Sequence, residues 1–183
     1  MIVGSIKENI NLEKRVSITT ETAKNIIGLG LSINLEKNYA EHLGISDKQY
    51  EEVGVKFYDS SKEIINKSSM LLKINCPSLE EIKNLKEETI LVGVFNPTKN
   101  QDKLKEIIKK KINIFSLELL PRISRAQSMD VLSSQSNLAG YRAVIESIYE
   151  FGRAVPMMMT AAGTVPAAKV LVIGGGVAGL QAI

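Results

Sequence analysis

The sequence is poor in the residues that usually announce chemistry. Among 183 residues there is one cysteine, Cys76, and one histidine, His42. A single thiol excludes an intramolecular disulfide and any cysteine-built zinc site, and it fits a reducing compartment. Next to a proline at a strand end, Cys76 reads as an inert thiol. A lone histidine in the polar stretch "NYAEHLGIS" supplies neither a Ser/His/Asp triad nor a metal cluster, so a surface position is expected for it. Charge of one sign is also scarce, since 23 basic against 20 acidic residues leave +3. The densest basic run, "KLKEIIKKK", interleaves Leu104, Ile107 and Ile108 at helical spacing, which describes a solvated helix face and no nucleic-acid partner. No apolar run approaches the ~18 residues that span a bilayer. The N-terminus turns charged at Lys7, unlike a secretory signal. The chain is therefore expected to be soluble by itself.

What is present is a rhythm. Short β-rich runs occur at "MIVGSI", "LSINLE", "VKFYD", "MLLKINC", "TILVGVF", "INIFSLELL" and "AKVLVIGGG". Between them lie segments with apolar residues three and four apart, opened by candidate N-caps at Thr19 or Thr20, Ser46, Ser60, Ser78 and Asn100. Strand then helix, with connections too long for hairpins, predicts parallel strands joined by right-handed crossovers. "TILVGVF" and "KVLVIGGG" are apolar on both faces, as central parallel strands are.

The rhythm breaks once. From about Met129 to Ala154, Leu138, Tyr141, Val144, Ile145, Ile148 and Tyr149 recur at helical spacing over a stretch too long for an ordinary crossover helix. Pro156, Gly163 and Pro166 then force extended or turning backbone, with Met157, Met158 and Met159 expected as deformable filler between domains. The expected organisation is an α/β domain over residues 1–128, a connecting helix and linker over 129–160, and the start of a second α/β domain over 161–183.

Two motifs carry chemistry. In "KVLVIGGGVAGLQAI", Gly174, Gly176 and Gly179 fit G-x-G-x-x-G after a strand and at the opening of a helix. The first glycine makes the tight turn, the second admits a pyrophosphate to the backbone, and the third allows close helix packing; the bland alternative is a glycine turn with no ligand. The sequence ends four residues past Gly179, before the acidic residue expected about 20 positions on that grips a ribose. A fragment of a longer dinucleotide enzyme is therefore expected, one that binds NADH weakly by itself. The second motif is "PRISRAQSMDVLSS", a polar segment placed directly after a core strand.

The stretch "PRISRAQSMDVLSSQSNLAGYRAVIE", with "FGRA" and "MTAAGTVPAAKVLVIGGGVAGLQAI", closely resembles the soluble NAD(H)-binding domain of proton-translocating nicotinamide nucleotide transhydrogenase, at the N-terminus of its alpha subunit. "KENINLEKRVSITTETA" and "LLKINCP" agree with that family and with its relative, alanine dehydrogenase. The resemblance implies a Rossmann-like parallel sheet in the N-terminal domain, a long connecting helix, and the start of a Rossmann NAD-binding domain. It implies a loop of Arg, Gln, Asp and Ser at offsets 0, 5, 8 and 11 that holds the nicotinamide, here Arg122, Gln127, Asp130 and Ser133. Cofactor contacts carried over with them are Ile123, Ser124, Arg125, Gly174, Gly176, Val177 and Gly179.

The physics of such a loop is plausible independently. A carboxamide needs both a donor and an acceptor, Asp130 can fix the Arg122 or Arg125 guanidinium, and hydride transfer demands orientation rather than a nucleophile or base. The competing view is a helix N-terminal turn in which Asp130 or Ser128 merely caps. The resemblance further implies NADP(H) on a partner beta subunit, which Gln127 reaches, together with membrane-spanning subunits, a homodimer, and a cytoplasmic position peripheral to the inner membrane. No metal is implied.

Alanine dehydrogenase activity is the alternative. In that relative, cations at the positions of Arg15 and Lys73 bind pyruvate and a histidine completes the site, whereas "VGVFNPTKN" offers Asn96 and Pro97. Arg15 and Lys73 are accordingly expected as inherited framework, in an internal ion or phosphate contact. A nucleotide-binding module without a redox partner is the non-enzymatic alternative.

Overall fold

The computed structural model describes residues 1–183, which divide into two compact units, Met1–Leu120 and Pro121–Ile183. The first unit runs β1 Ile2–Ser5, α1 Thr20–Gly28, β2 Ser32–Glu36, α2 Asp47–Glu51, β3 Lys56–Tyr58, α3 Ser61–Lys67, β4 Met70–Leu72, α4 Leu79–Asn84, β5 Ile90–Gly93, α5 Gln101–Lys109 and β6 Asn113–Ser116. Its six strands form one parallel sheet in the order β3-β2-β1-β4-β5-β6. The order reverses between β1 and β4, so their C-terminal ends flank a switch point, the place where open α/β sheets receive ligands.

Alternation along the strands gives the unit two cores. Leu71 joins Ile64, Ile65, Ile82, Leu91, Phe95 and Ile107 in one cluster. Its neighbours Met70 and Leu72 pack against the other, built on Val3, Ile18, Ile33, Leu35, Tyr39 and Tyr50. Successive strand residues point to opposite faces, so a sheet buried on both sides needs apolar residues at consecutive positions.

The N-caps differ in how they act. Thr19 accepts from the Thr22 N–H at 3.2 Å, and Ser78 accepts from Glu81 while Glu81 accepts from the Ser78 N–H at 2.6 Å, a reciprocal capping box. Ser60 and Asn100 occupy N-cap positions without a capping side-chain bond, and Asn100 donates instead to the Phe95 carbonyl at 2.8 Å. The run "INIFSLELL" is strand only to Ser116; a 3-10 turn, Leu117–Leu119, follows.

In the second unit a 3-10 helix, Ser124–Met129, leads into α6, Val131–Phe151, which ends on Gly152 at φ +63°. A short hairpin follows, β7 Met158–Thr160 against β8 Gly163–Val165, with Met157, Met158 and Met159 exposed on it. The expected strand at "AKVLVIGGG" does not form: residues 168–176 carry no strand, and α7, Val177–Ala182, comes next. A parallel strand exists only through hydrogen bonds to a neighbouring strand, and no strand of this chain pairs with that segment.

Candidate functional site

The polar loop after the first unit is organised by one carboxylate. Asp130 stands at the N-cap of α6, where Oδ1 accepts from the Ser133 N–H at 2.9 Å and Oδ2 from the Ser133 hydroxyl at 2.7 Å. These two bonds, first the backbone one, hold the Asp130 carboxyl below its ordinary range, and the field of Arg122 adds to them. The expected ion pair between Asp130 and Arg122 or Arg125 does not form. Both carboxylate oxygens are spent on Ser133, and Arg122 acts only at a distance.

The 3-10 helix before it places Ser124 and Gln127 on one side, because residues three apart eclipse in that geometry. Ala126 is buried and anchors the turn, whereas Arg122, Ile123, Ser124, Arg125 and Gln127 are exposed. A fixed hydroxyl at Ser133 is the chemical product of this arrangement. Its proton is committed to Asp130, so its lone pairs remain to accept from an amide donor.

The glycine motif has the geometry of a backbone cradle. Gly174 sits at φ +111°, a conformation that disfavours any side chain. A Cβ on Gly179 would lie 1.9 Å from the Gly174 carbonyl oxygen, so α7 packs directly on the turn. Gly175 and Gly176 face open space, leaving their backbone accessible to a ligand. Gly176 is the N-cap of α7 and Val177 its first residue. These features fit a dinucleotide pyrophosphate, which needs close backbone approach and unpaired N–H groups.

The switch point of the first unit is a separate cluster, and its carboxylates are residues that sequence reasoning missed. Lys73 is 7% exposed, and its ammonium donates to both oxygens of Glu81 at 2.7 and 2.8 Å, with Glu8 4.0 Å away. Glu8 also accepts from the Ile74 N–H at 2.7 Å and the Asn75 N–H at 3.3 Å. Burial pushes the Glu8 carboxyl up, against the opposing pull of Lys73 and those N–H groups. Arg15 forks onto Glu13 at 2.8 and 2.7 Å, which holds that carboxyl down. Both cations expected as framework thus lie in internal ion contacts. The signal for Glu81 was in the sequence: a lysine in a core strand demands a buried partner, and Ser78-x-x-Glu81 brings one to the start of α4.

The other polar residues bring no chemistry here. His42 is exposed, with Nε2 2.7 Å from the Lys14 carbonyl, and burial raises the half-buried Cys76 thiol. No group of three His, Cys, Asp or Glu side chains has the geometry to hold a metal. No helix is long and apolar enough to cross a membrane.

Residues 4–139 match the family described as alanine dehydrogenase/PNT, N-terminal domain, and residues 143–183 match alanine dehydrogenase/PNT, C-terminal domain. The first of the separately named parts of the NAD(P) transhydrogenase alpha subunit is 43% identical over 187 residues in Rickettsia prowazekii (strain Madrid E) and 44% over 188 in Rhodospirillum rubrum. Each covers 100% of this chain and 49% of the relative. An alanine dehydrogenase of Methanococcus maripaludis is 27% identical, again over 100% of this chain and 49% of the relative. The crystal structure of transhydrogenase from Sinorhizobium meliloti superposes with a TM-score of 0.94 at 42% identity, covering all of this chain and 54% of that one. An L-alanine dehydrogenase structure with a TM-score of 0.83 at 22% identity, covering all of this chain and 50% of that one, shares the fold. The chain spans about half the length of these relatives. It belongs to the alanine dehydrogenase/PNT family, and it stands nearer to that family's transhydrogenase alpha subunits than to its alanine dehydrogenases.

Proposed function

We propose that the chain is part of the NAD(H)-binding alpha subunit of a proton-translocating NAD(P) transhydrogenase. NADH, when bound, supplies the hydride, which passes to NADP+ on a partner beta subunit and regenerates NADPH while protons cross the membrane through membrane-spanning subunits. The chain's own residues bind and orient. The Gly174–Gly176 turn receives the pyrophosphate, with Val177 and Gly179 behind it. Ser133, held by Asp130, accepts from the carboxamide, and Arg122, Ile123, Ser124, Arg125 and Gln127 frame the nicotinamide on its exposed side. No proton is released by the protein in a hydride transfer, which suits a loop with orienting groups and no general base.

The observation that carries this reading is the Asp130–Ser133 pair, a preorganised acceptor at the helix start, in a chain 43% identical along its length to a transhydrogenase alpha subunit. The subunit works as a homodimer, peripheral on the cytoplasmic face of the inner membrane through its partners. Against amino-acid oxidation stand Lys73, whose ammonium is committed to Glu81, and Asn96, which cannot serve as an acid–base group.

The test is an assay of the complete protein reconstituted with its partner subunits. NADH-dependent reduction of NADP+ is expected, with no alanine-dependent reduction of NAD+. The opposite pattern would overturn the assignment.

A further inference from the structure

Gly140 lies in the middle of α6, where glycine is the least favourable residue after proline. It is also the buried residue of that helix. A Cβ there would stand 2.2 Å from the Ala178 carbonyl oxygen and 2.9 Å from its carbonyl carbon and Cα. All three are backbone atoms of α7, so no side-chain rotation relieves the contact, and the helices must separate. The missing methyl therefore sets the distance between α6 and α7.

Each helix is fixed at its other end to a segment already described. The first turn of α6 carries Ser133 on the Asp130 cap. α7 cannot shift without the glycine turn, because Gly179 leaves only the space of a hydrogen atom against the Gly174 carbonyl. From Ser133 to Gly140 the helix rises about 10 Å. One rigid path thus runs from the Ser133 hydroxyl, along α6, across the Gly140–Ala178 contact, to the turn at Gly174–Gly176.

We infer that Gly140 is a positioning residue: by seating α7 backbone-to-backbone on α6, it fixes the spacing between the glycine turn and the Asp130–Ser133 pair, and with it the register in which one dinucleotide reaches both. Resting on the assignment of those segments as two ends of an NAD(H) site, it adds a residue that touches no cofactor.

The test uses the complete protein with its partner subunits and the variants Gly140→Ala, Ser133→Ala and the double variant. NADH affinity is read by fluorescence titration, and hydride transfer by single-turnover kinetics. A displacement of about 1 Å costs on the order of 100-fold in rate when it moves a reacting group, so Gly140→Ala is expected to slow transfer by roughly 10- to 100-fold. It should also weaken NADH binding by roughly tenfold and couple to Ser133→Ala non-additively, because residues acting as one unit do not add.

If Ser133→Ala weakens NADH binding and Gly140→Ala does not, the positioning role is wrong and the site assignment stands. Additive losses in the double variant equally reject the role, leaving Gly140 as a packing residue. If Ser133→Ala changes neither binding nor rate, the site assignment itself fails. Should Gly140→Ala not fold, hydrogen exchange of the unaltered protein decides. Amides of residues 136–144 are expected to slow on addition of NADH while those of α5 do not, and unchanged exchange there would overturn the inference.

Discussion

Tyr50 is fully buried in the first unit, and its hydroxyl donates to the Ile18 carbonyl at 2.9 Å. Burial, with smaller contributions from Tyr39 and Asp47, pushes its phenol up to about 12 from 10.0. The folded state then holds this proton more tightly than the unfolded state, so the contribution is full below pH 10 and is lost as pH rises toward 12. Tyr50→Phe should flatten the loss of stability measured by denaturant titration across that window, and at neutral pH it should cost about 1 kcal/mol for the hydrogen bond. Lys73 obeys the same logic of burial. Removing Glu81 leaves a nearly buried ammonium with Glu8 only at 4.0 Å and also breaks the capping box. Glu81→Ala should therefore cost about 3 kcal/mol, whereas replacing Lys73 and Glu81 together by apolar residues should cost less than Glu81→Ala alone. Chemical denaturation of the three variants checks this order.

At the scale of elements, the start of α6 is the joint where fold and site coincide. Asp130 is depressed by its bonds to Ser133, so its contribution is present above the unfolded carboxylate value of about 3.9 and is lost as pH falls through the lower folded value. Loosening of the first turn of α6 below about pH 4 is expected in NMR amide shifts, and Asp130→Asn should remove that titration.

The cap also explains why the site is only partly legible in the sequence. Asp130 and Ser133 three residues apart spell an N-terminal turn, and the same atoms make the acceptor, so sequence alone leaves both views open. The Asp130–arginine pair fails because spacing does not reveal how many partners a carboxylate already has. The hairpin at Met158–Val165 is hidden by its own residues, since methionines at Met158 and Met159 give no polar alternation. Conversely, "AKVLVIGGG" has strand composition throughout and forms none, because pairing depends on a neighbour that local sequence does not describe.

For the whole molecule, alternation of strand and helix is enough to obtain the parallel sheet of the first unit, since each of β1 to β6 lies within a β-rich run bounded by helices. Strand order is not written there. The reversal between β1 and β4 emerges only from long-range pairing, and so does the meeting of Glu8, Lys73 and Glu81 at that edge. The transhydrogenase proposal depends on the other unit and on an orienting loop. Its most direct test is Gln127→Asn in the complete enzyme, reconstituted with partner subunits, with single-turnover hydride transfer and NADH affinity measured on the same preparation. Shortening an exposed orienting side chain by one methylene should slow transfer by on the order of 100-fold while NADH affinity changes by no more than about threefold. An unchanged transfer rate would contradict the role assigned to this loop.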